Sequence, residues 1–419
     1  MPASGKRVLM LVENLPYPRD ARVRQEALAL TAAGYAVTVI AQCGRGQPGR
    51  EWVEGVRVYR YPAPPPGHSL LGYAWEYGYS LAAMFVLAAF VAAAHGFDVI
   101  HTANPPDTAV LIAAFYKLFG RTRFVFDQHD LAPELYDVRF NGRGRRQLAR
   151  DLLIALEALS YRLADHVIAT NASYQAVAMA RGRVPAERIT IVRNGPALDR
   201  WQPAAPDPGL RQRAGTILGY VGVIAPQDGL DYLLRALAHL RADLGRSDFL
   251  CVVVGEGEAL PDLKALAARL GLEGQIWFTG FLAHAELIRC LSSADICVDP
   301  DPSNAFNDRC TMTKLMEYMA LGKPIVAFDL PEHRVTAQEA AVYARANDEL
   351  DFARQIAALM DDPARRRQMG ARGRQRVESE LSWPHQQAHL LAAYRALEAV
   401  NRSVPSYSQD RMNPHDRLS

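Results

Sequence analysis

Cysteine is scarce in this 419-residue chain, and what there is shows no pairing. Cys43, Cys251, Cys290, Cys297 and Cys310 are scattered, odd in number and never spaced as CxxC. That pattern argues against a disulfide framework or structural zinc and for a reducing cytoplasm. A charge excess is missing too: 47 Lys+Arg against 45 Asp+Glu leave +2, which does not point to nucleic acid. No apolar run is long enough for a bilayer. The opening MPASGKRVLMLVENLPYP holds a run too short for a signal-peptide core. The longest uncharged apolar run, residues 81–94, would make a helix of about 21 Å, against a bilayer core of roughly 30 Å. It is expected to be buried or interfacial. Tyr73, Trp75, Tyr77 and Tyr79 just before it keep the interfacial option open, because such rings favour the headgroup level.

The charge that is present is unevenly placed. Arg139, Arg143, Arg145, Arg146 and Arg150 fall close together, with no acid between Asp137 and Asp151. Such a run is either a solvated loop or a patch that meets an anionic membrane surface or a lipid phosphate. With 49% apolar residues the chain is globular, and its length suggests two domains of roughly 200 residues. Short β-rich runs at 8–12, 35–41, 97–101, 123–126 and 166–169 alternate with helical segments. The alternation restarts at 217–223, 249–254, 275–279, 296–298 and 325–328. Between the two series, WQPAAPDPG (201–209) carries no periodic pattern and reads as a linker. The expectation is an α/β protein of two doubly wound parallel-sheet, Rossmann-like domains, 1–200 and 210–385, facing a cleft. A terminal helix, 386–401, is expected to cross back to the first domain, and 402–419 to be a disordered tail.

CTMTKLMEYMALGKPIVAFD (310–329) reads as helix, tight turn and strand. Thr311 is the expected N-cap, Gly322 and Pro324 stop the helix, and Ile325-Val326-Ala327-Phe328 is strand-like. Glu317 then sits mid-helix, where an average glutamate is simply solvated. In VVVGEGEALPDL (252–263) the spacing Gly255-x-Gly257-x-x-Leu260 lacks the third glycine of a nicotinamide fingerprint. It remains reasonable as a tight turn that brings backbone near a nucleotide. FVFDQHDLAPELYD (124–137) ends a strand at Asp127 and places His129 in the next loop, with Asp130 and Glu134 close enough to orient it or engage an acceptor. His101 also follows a strand, although Asn104-Pro105-Pro106 beyond it can be plain turn chemistry.

These motifs run in order through VVVGEGEALPDLKALAARLGLEGQIWFTGF, LSSADICVDP, KLMEYMALGKPIVA and RRRQMGARGRQRV. Together they resemble the family 4 retaining glycosyltransferases of the GT-B fold. In detail the chain resembles bacterial members that build surface polysaccharides of O-antigen or capsule type. The resemblance implies that Glu317 receives the two ribose hydroxyls of a nucleotide sugar. It turns the helix start Thr311-Met312-Thr313 toward the diphosphate. It brings Gly222, Gly255 and Gly280 near the donor, and places His129, with Asp130, at the donor sugar or reacting centre.

Departures from the family pattern are equally specific. Where many members carry an earlier glutamate, this chain has Arg309 with Asp308 beside it; in place of an Arg…Lys pair stand Val223 and Asp228. Lys314 is the first candidate to replace that positive charge, then Arg309, then the Arg19/Arg22 loop. A glycine pair after the first strand is replaced by YPRDARVRQEA (17–27). There Arg19, Asp20 and Arg22 act through side chains on donor or acceptor, or else Asp20 merely caps a helix.

The implied activity is transfer of a hexosyl or N-acetylhexosaminyl group from a nucleoside diphosphate donor, UDP-sugar favoured, with retention. The acceptor would be a polysaccharide or a polyprenyl-diphosphate-linked glycan. The nucleotide sugar is a co-substrate and no cofactor is implied. With no Asp-x-Asp in the right strand context and no His/Cys cluster, metal-independent chemistry is expected. The arginine run and the apolar helix suggest peripheral attachment at the inner face of the cytoplasmic membrane. A nucleotide-sugar 2-epimerase of the same fold and a non-catalytic sugar-nucleotide-binding assembly partner are the alternatives.

Overall fold

A computed structural model describes residues 6–65, 67, 70–120, 122–140 and 145–402. Arg143, the side chains of Arg145 and Arg146, and the expected tail from 403 onward lie outside these described residues. The first sheet has eight strands: β1 Arg7–Leu11, β2 Ala36–Gln42, β3 Arg50–Val53, β4 Val56–Tyr61, β5 Val99–Ala103, β6 Arg123–Gln128, β7 His166–Ala169 and β8 Ile189–Ile191. Their order is β3-β4-β2-β1-β5-β6-β7-β8, parallel except for the β3–β4 hairpin. The second sheet has six: β9 Thr216–Val221, β10 Phe249–Val254, β11 Ile276–Gly280, β12 Ile296–Asp299, β13 Ile325–Phe328 and β14 Ala341–Ala344. They run in the order β11-β10-β9-β12-β13-β14, all parallel. The continuous apolar run of β10, FLCVVV, is buried at every position. A parallel strand covered by helices on both sheet faces requires that pattern.

Helices α1 Ala21–Ala32, α2 Leu70–Ala94, α3 Val110–Phe119, α4 Ala132–Phe140 and α5 Arg145–Leu163 belong to the first half. The apolar run at 81–94 is not a short helix of its own. It is the second part of the 25-residue α2, about 37 Å long, so against expectation the helix is long and apolar enough to cross a bilayer core of roughly 30 Å. Met84, Ala88 and Val91 on its inner face pack in one core with Leu9, Ile40 and Ile100 of the sheet.

Two devices hold the halves together. The terminal helix Trp383–Arg402 packs on the first sheet, its Leu390, Tyr394 and Leu397 sharing a core with Val8, Met10 and Val37. The loop after β12 does the same from the other side: Phe306 packs into the core beneath β1 and β6. Asn171, just past β7, donates to Arg309 O (2.8 Å) and Thr311 Oγ1 (2.9 Å) across the domain boundary. Strand carboxyl ends of both sheets therefore meet at one cleft.

Candidate active site

That cleft holds a cavity of about 280 Å³. The first domain contributes His129 and Asp130 after β6, Thr170 after β7 and Asn194 after β8. The second contributes Val221, Gly222 and Val223 at the end of β9, Asp228 in the following turn, residues 310–314, and Glu317. Tyr318 holds the β9 end in place, its hydroxyl accepting from Val221 N at 3.0 Å.

Glu317 lies on the helix Thr313–Ala320, which closes at Gly322 in the left-handed conformation (φ +66°). Its N-cap is Met312, with no side-chain hydrogen bond, and not Thr311. Thr311 is drawn instead into the domain boundary, accepting from Asn171 and donating to Glu332 Oε2 at 3.2 Å. The uncapped first turn, with Met312 and Thr313 on the cavity wall, is a ready anion site. The Glu317 carboxyl is half-buried and has no hydrogen-bond partner among the described residues. Burial pushes it up to about 7, against the opposing pull of Lys314.

Lys314 is not the free cation expected at the diphosphate. Its ammonium donates to both oxygens of Asp301 (2.9 and 2.8 Å), lies 3.2 Å from Asp299, and sits over the Tyr220 ring at 5.1 Å. Burial lowers its proton affinity, but Asp299 and Asp301 outweigh that and hold it charged. Asp299-Pro300-Asp301 is moreover an Asp-x-Asp at a strand end, which the sequence reading passed over. Asp299, Asp301 and His333 are arranged closely enough to ligate a metal ion. Lys314 already stands between the two carboxylates. Asp228, on the same cavity, is raised by burial, with Lys314 opposing.

Across the cavity, His129 Nε2 lies 2.5 Å from Asp127 Oδ2. Asp127 is fully buried; burial works against its charge, yet Arg22 and His129 outweigh it and keep it ionised. Arg22 Nε also lies 3.0 Å from His129 Nε2, so this ring nitrogen sits between the guanidinium and the carboxylate, and both fix the orientation of the ring. Arg22 does not reach the cavity. It is buried, donating twice to Asp127 (3.0 and 2.6 Å), and to Val192 O and Asn194 Oδ1. The reason is electrostatic: a buried carboxylate at a strand end demands a cation. His101 is likewise interior, its Nδ1 2.8 Å from the Tyr394 hydroxyl, and burial lowers it below its usual range. Asp130 lines the cavity and is raised, chiefly by burial.

The remaining expected residues stand apart from the cavity wall. Asp20 caps α1, accepting from Val23 N at 3.0 Å, and Arg19 is exposed. Glu134 pairs with Arg181 and so does not orient His129. Asp308 accepts from Ser303 Oγ at 3.2 Å; Arg309 donates to Ala305 O and lies 3.7 Å from Glu134. Gly255 and Gly280 shape the cavity from behind. Gly255 N donates to Gly280 O at 3.1 Å, and a Cβ on Gly255 would fall 1.9 Å from the carbonyl oxygen of the cavity residue Gly222.

Comparison with known proteins bears on both halves. Residues 20–195 match the family model "Glycosyl transferase 4-like domain", and residues 215–362 match "Glycosyl transferases group 1". Sucrose-phosphate synthase from Thermosynechococcus elongatus superposes with a TM-score of 0.76 at 20% identity, over 94% of this chain and 100% of that one. The fold is GT-B, built of two glycosyltransferase-type domains. HepE from Anabaena, solved in complex with UDP and glucose, superposes with a TM-score of 0.71 at 16% identity, covering 93% of this chain and 100% of that one. The D-inositol 3-phosphate glycosyltransferase of Thermobispora bispora is 30% identical over 58% of this chain and 59% of its own length. The chain spans roughly half to three fifths of the first curated relatives it matches.

Within this GT-B cleft, Thr170 and Asn194 escaped the sequence reading. Both stand just past short strands, in ATN and VRNGP, and a polar residue directly beyond a parallel strand was the available signal. Thr313 was read only as part of a helix start.

Proposed function

We propose that the protein is a retaining glycosyltransferase that uses a nucleoside diphosphate sugar, with UDP as the favoured nucleotide. The carrying observation is the unpartnered Glu317 carboxyl, which shares one cavity with an uncapped helix start and with His129. An ionised carboxylate accepts both ribose hydroxyls, each such bond worth about 1.5–3 kcal/mol. The free amides at Thr313 and beyond take the diphosphate, and HepE, of like fold, binds UDP. His129, fixed through Asp127, contacts the donor sugar or the incoming hydroxyl. The acceptor oxygen bonds to the anomeric carbon as the carbon–oxygen bond to the diphosphate breaks, on the same face. The acceptor proton passes to the departing phosphate oxygen. Most of the rate then comes from position and fixed dipoles. Lys314, seated between Asp299 and Asp301, supports a metal-independent reading. The acceptor is a lipid-linked or polysaccharide glycan, met at the inner face of the cytoplasmic membrane.

Calorimetry of the protein with UDP, GDP, ADP and dTDP, with and without EDTA, tests this. One nucleotide should bind in EDTA, and Glu317→Ala should weaken it by about 2 kcal/mol, roughly thirtyfold. Equal binding by the variant, or no binding by any nucleotide, overturns the assignment.

A further inference from the structure

Helices α2 and α3 turn an unbroken apolar face outward. On α2 the exposed positions recur at helical spacing, Leu71, Trp75, Gly78, Ala82, Val86 and Phe90, and none is charged. Leu71 is 85% exposed, Trp75 62% and Val86 67%. Glu76 turns aside to accept from Gly67 N at 2.7 Å. α3 continues the face with Leu118 and Phe119, and the Phe85 and Phe115 rings, 5.0 Å apart, hold the two helices side by side. An outer helix ordinarily carries its charges on this side, and an apolar face about 29 Å long marks a binding surface.

Arginines stand at both ends. Tyr73 meets Phe140 at 5.8 Å, which brings exposed Arg139 to the start of α2. At the other end Tyr59 meets Phe90 at 5.7 Å, and the β3–β4 hairpin there carries Arg50, Arg57 and the exposed Trp52. Two copies joined through this face would set arginine against arginine in either orientation. An anionic bilayer satisfies both features at once, taking the apolar stripe into the acyl boundary and the arginines at the headgroups. The inner face of α2, seated on the sheet through Met84, Ala88 and Val91, keeps the helix flat in the interface. On the buried side of α2, Ser80 donates to Glu13, just beyond β1, at 3.0 Å, which ties the helix to the carboxyl end of that strand.

We propose that the α2–α3 face is the surface by which this protein docks on an anionic membrane. This deepens the peripheral location in the proposed function and rests on that reading for the lipid-linked acceptor. The test is sedimentation of the full chain with vesicles of phosphatidylcholine alone or mixed with phosphatidylglycerol, at physiological salt. Wild type should pellet with the mixed vesicles and far less with the neutral ones. Val86→Asp with Leu118→Asp, both at open positions, should lower partitioning about tenfold or more. Arg50→Gln with Arg57→Gln should reduce the preference for anionic lipid. Nucleotide binding by calorimetry, in solution without lipid, reports whether each variant is folded and reads the catalytic assignment separately. A wild type that stays in the supernatant overturns the proposal, as does an aspartate variant that pellets normally. So does light scattering that shows a dimer which the aspartates dissolve.

Discussion

Glu317 ties the proposed donor site to pH with a definite sign. Its carboxyl is held at about 7 by burial, whereas ribose binding needs the ionised form. A group with that midpoint is about nine tenths ionised at pH 8 and about one tenth at pH 6. UDP affinity should therefore fall about tenfold, or roughly 1.4 kcal/mol, over that interval. Calorimetry at pH 6, 7 and 8, in buffers of two ionisation enthalpies, reads the affinity and counts the proton released. UDP titrates too, its terminal phosphate near pH 6, so the comparison is with Glu317→Gln, which keeps that term and loses the other. An equal pH slope in both proteins, or tighter wild-type binding at pH 6, refutes the reasoning. The same shift fixes a stability difference. The folded value of about 7 lies above the ordinary 4.5, so nothing is lost below pH 4.5 and stability falls as pH rises through 7. Glu317→Gln should thus be more stable than wild type at pH 8 by about 1–3 kcal/mol, with the gap shrinking towards pH 5.

Two further substitutions probe the frame of the cleft. Lys314→Met leaves the buried Asp299 and Asp301 carboxylates without the cation that bonds them, and should cost about 3–5 kcal/mol in urea unfolding. A loss below about 1 kcal/mol would show that the pair is not charged as described. Gly255→Ala places a methyl against the Gly222 carbonyl at a backbone φ of +142°, and should cost about 1–3 kcal/mol while weakening UDP binding through the displaced β9 end. An unchanged unfolding midpoint would remove Gly255 from the account.

The parallel strands were legible because each is a short apolar run bounded by turn residues, and the cleft followed from two such series in one chain. The positions of Glu317 and His129 were legible for a related reason: each follows a feature whose geometry is local, a helix start or a strand end. Arg22 and Lys314 depart from expectation because a buried cation is committed by the carboxylate that folding brings to it, which spacing does not show even when, as for Lys314 and Asp301, it is only 13 residues. Asp127 is 105 residues from Arg22. The length of α2 was underestimated because its first half is polar enough, through Tyr73, Glu76 and Tyr77, to hide a helix whose apolar face is set by spacing. Thr311 was read as a cap from local sequence, while a cross-domain bond to Asn171 claimed its hydroxyl.

The two misread cations have the same architecture. In each domain a helical basic residue is held against acid at a strand's carboxyl end: Arg22 against Asp127 near the end of β6, Lys314 against Asp299 at the end of β12 and Asp301 just beyond it. Buried ion pairs are weak sources of net stability, since desolvation offsets their attraction. Their value here is positional. Asp127 stands two residues before His129 and bonds its ring; Lys314 stands one turn before Glu317 and pins the helix that carries it. Each cluster thereby fixes one functional side chain on its own side of the cleft. In the proposed function, with both cations paired to acids, the diphosphate falls to the uncapped helix amides, which do not titrate and need no rearrangement when the nucleotide departs.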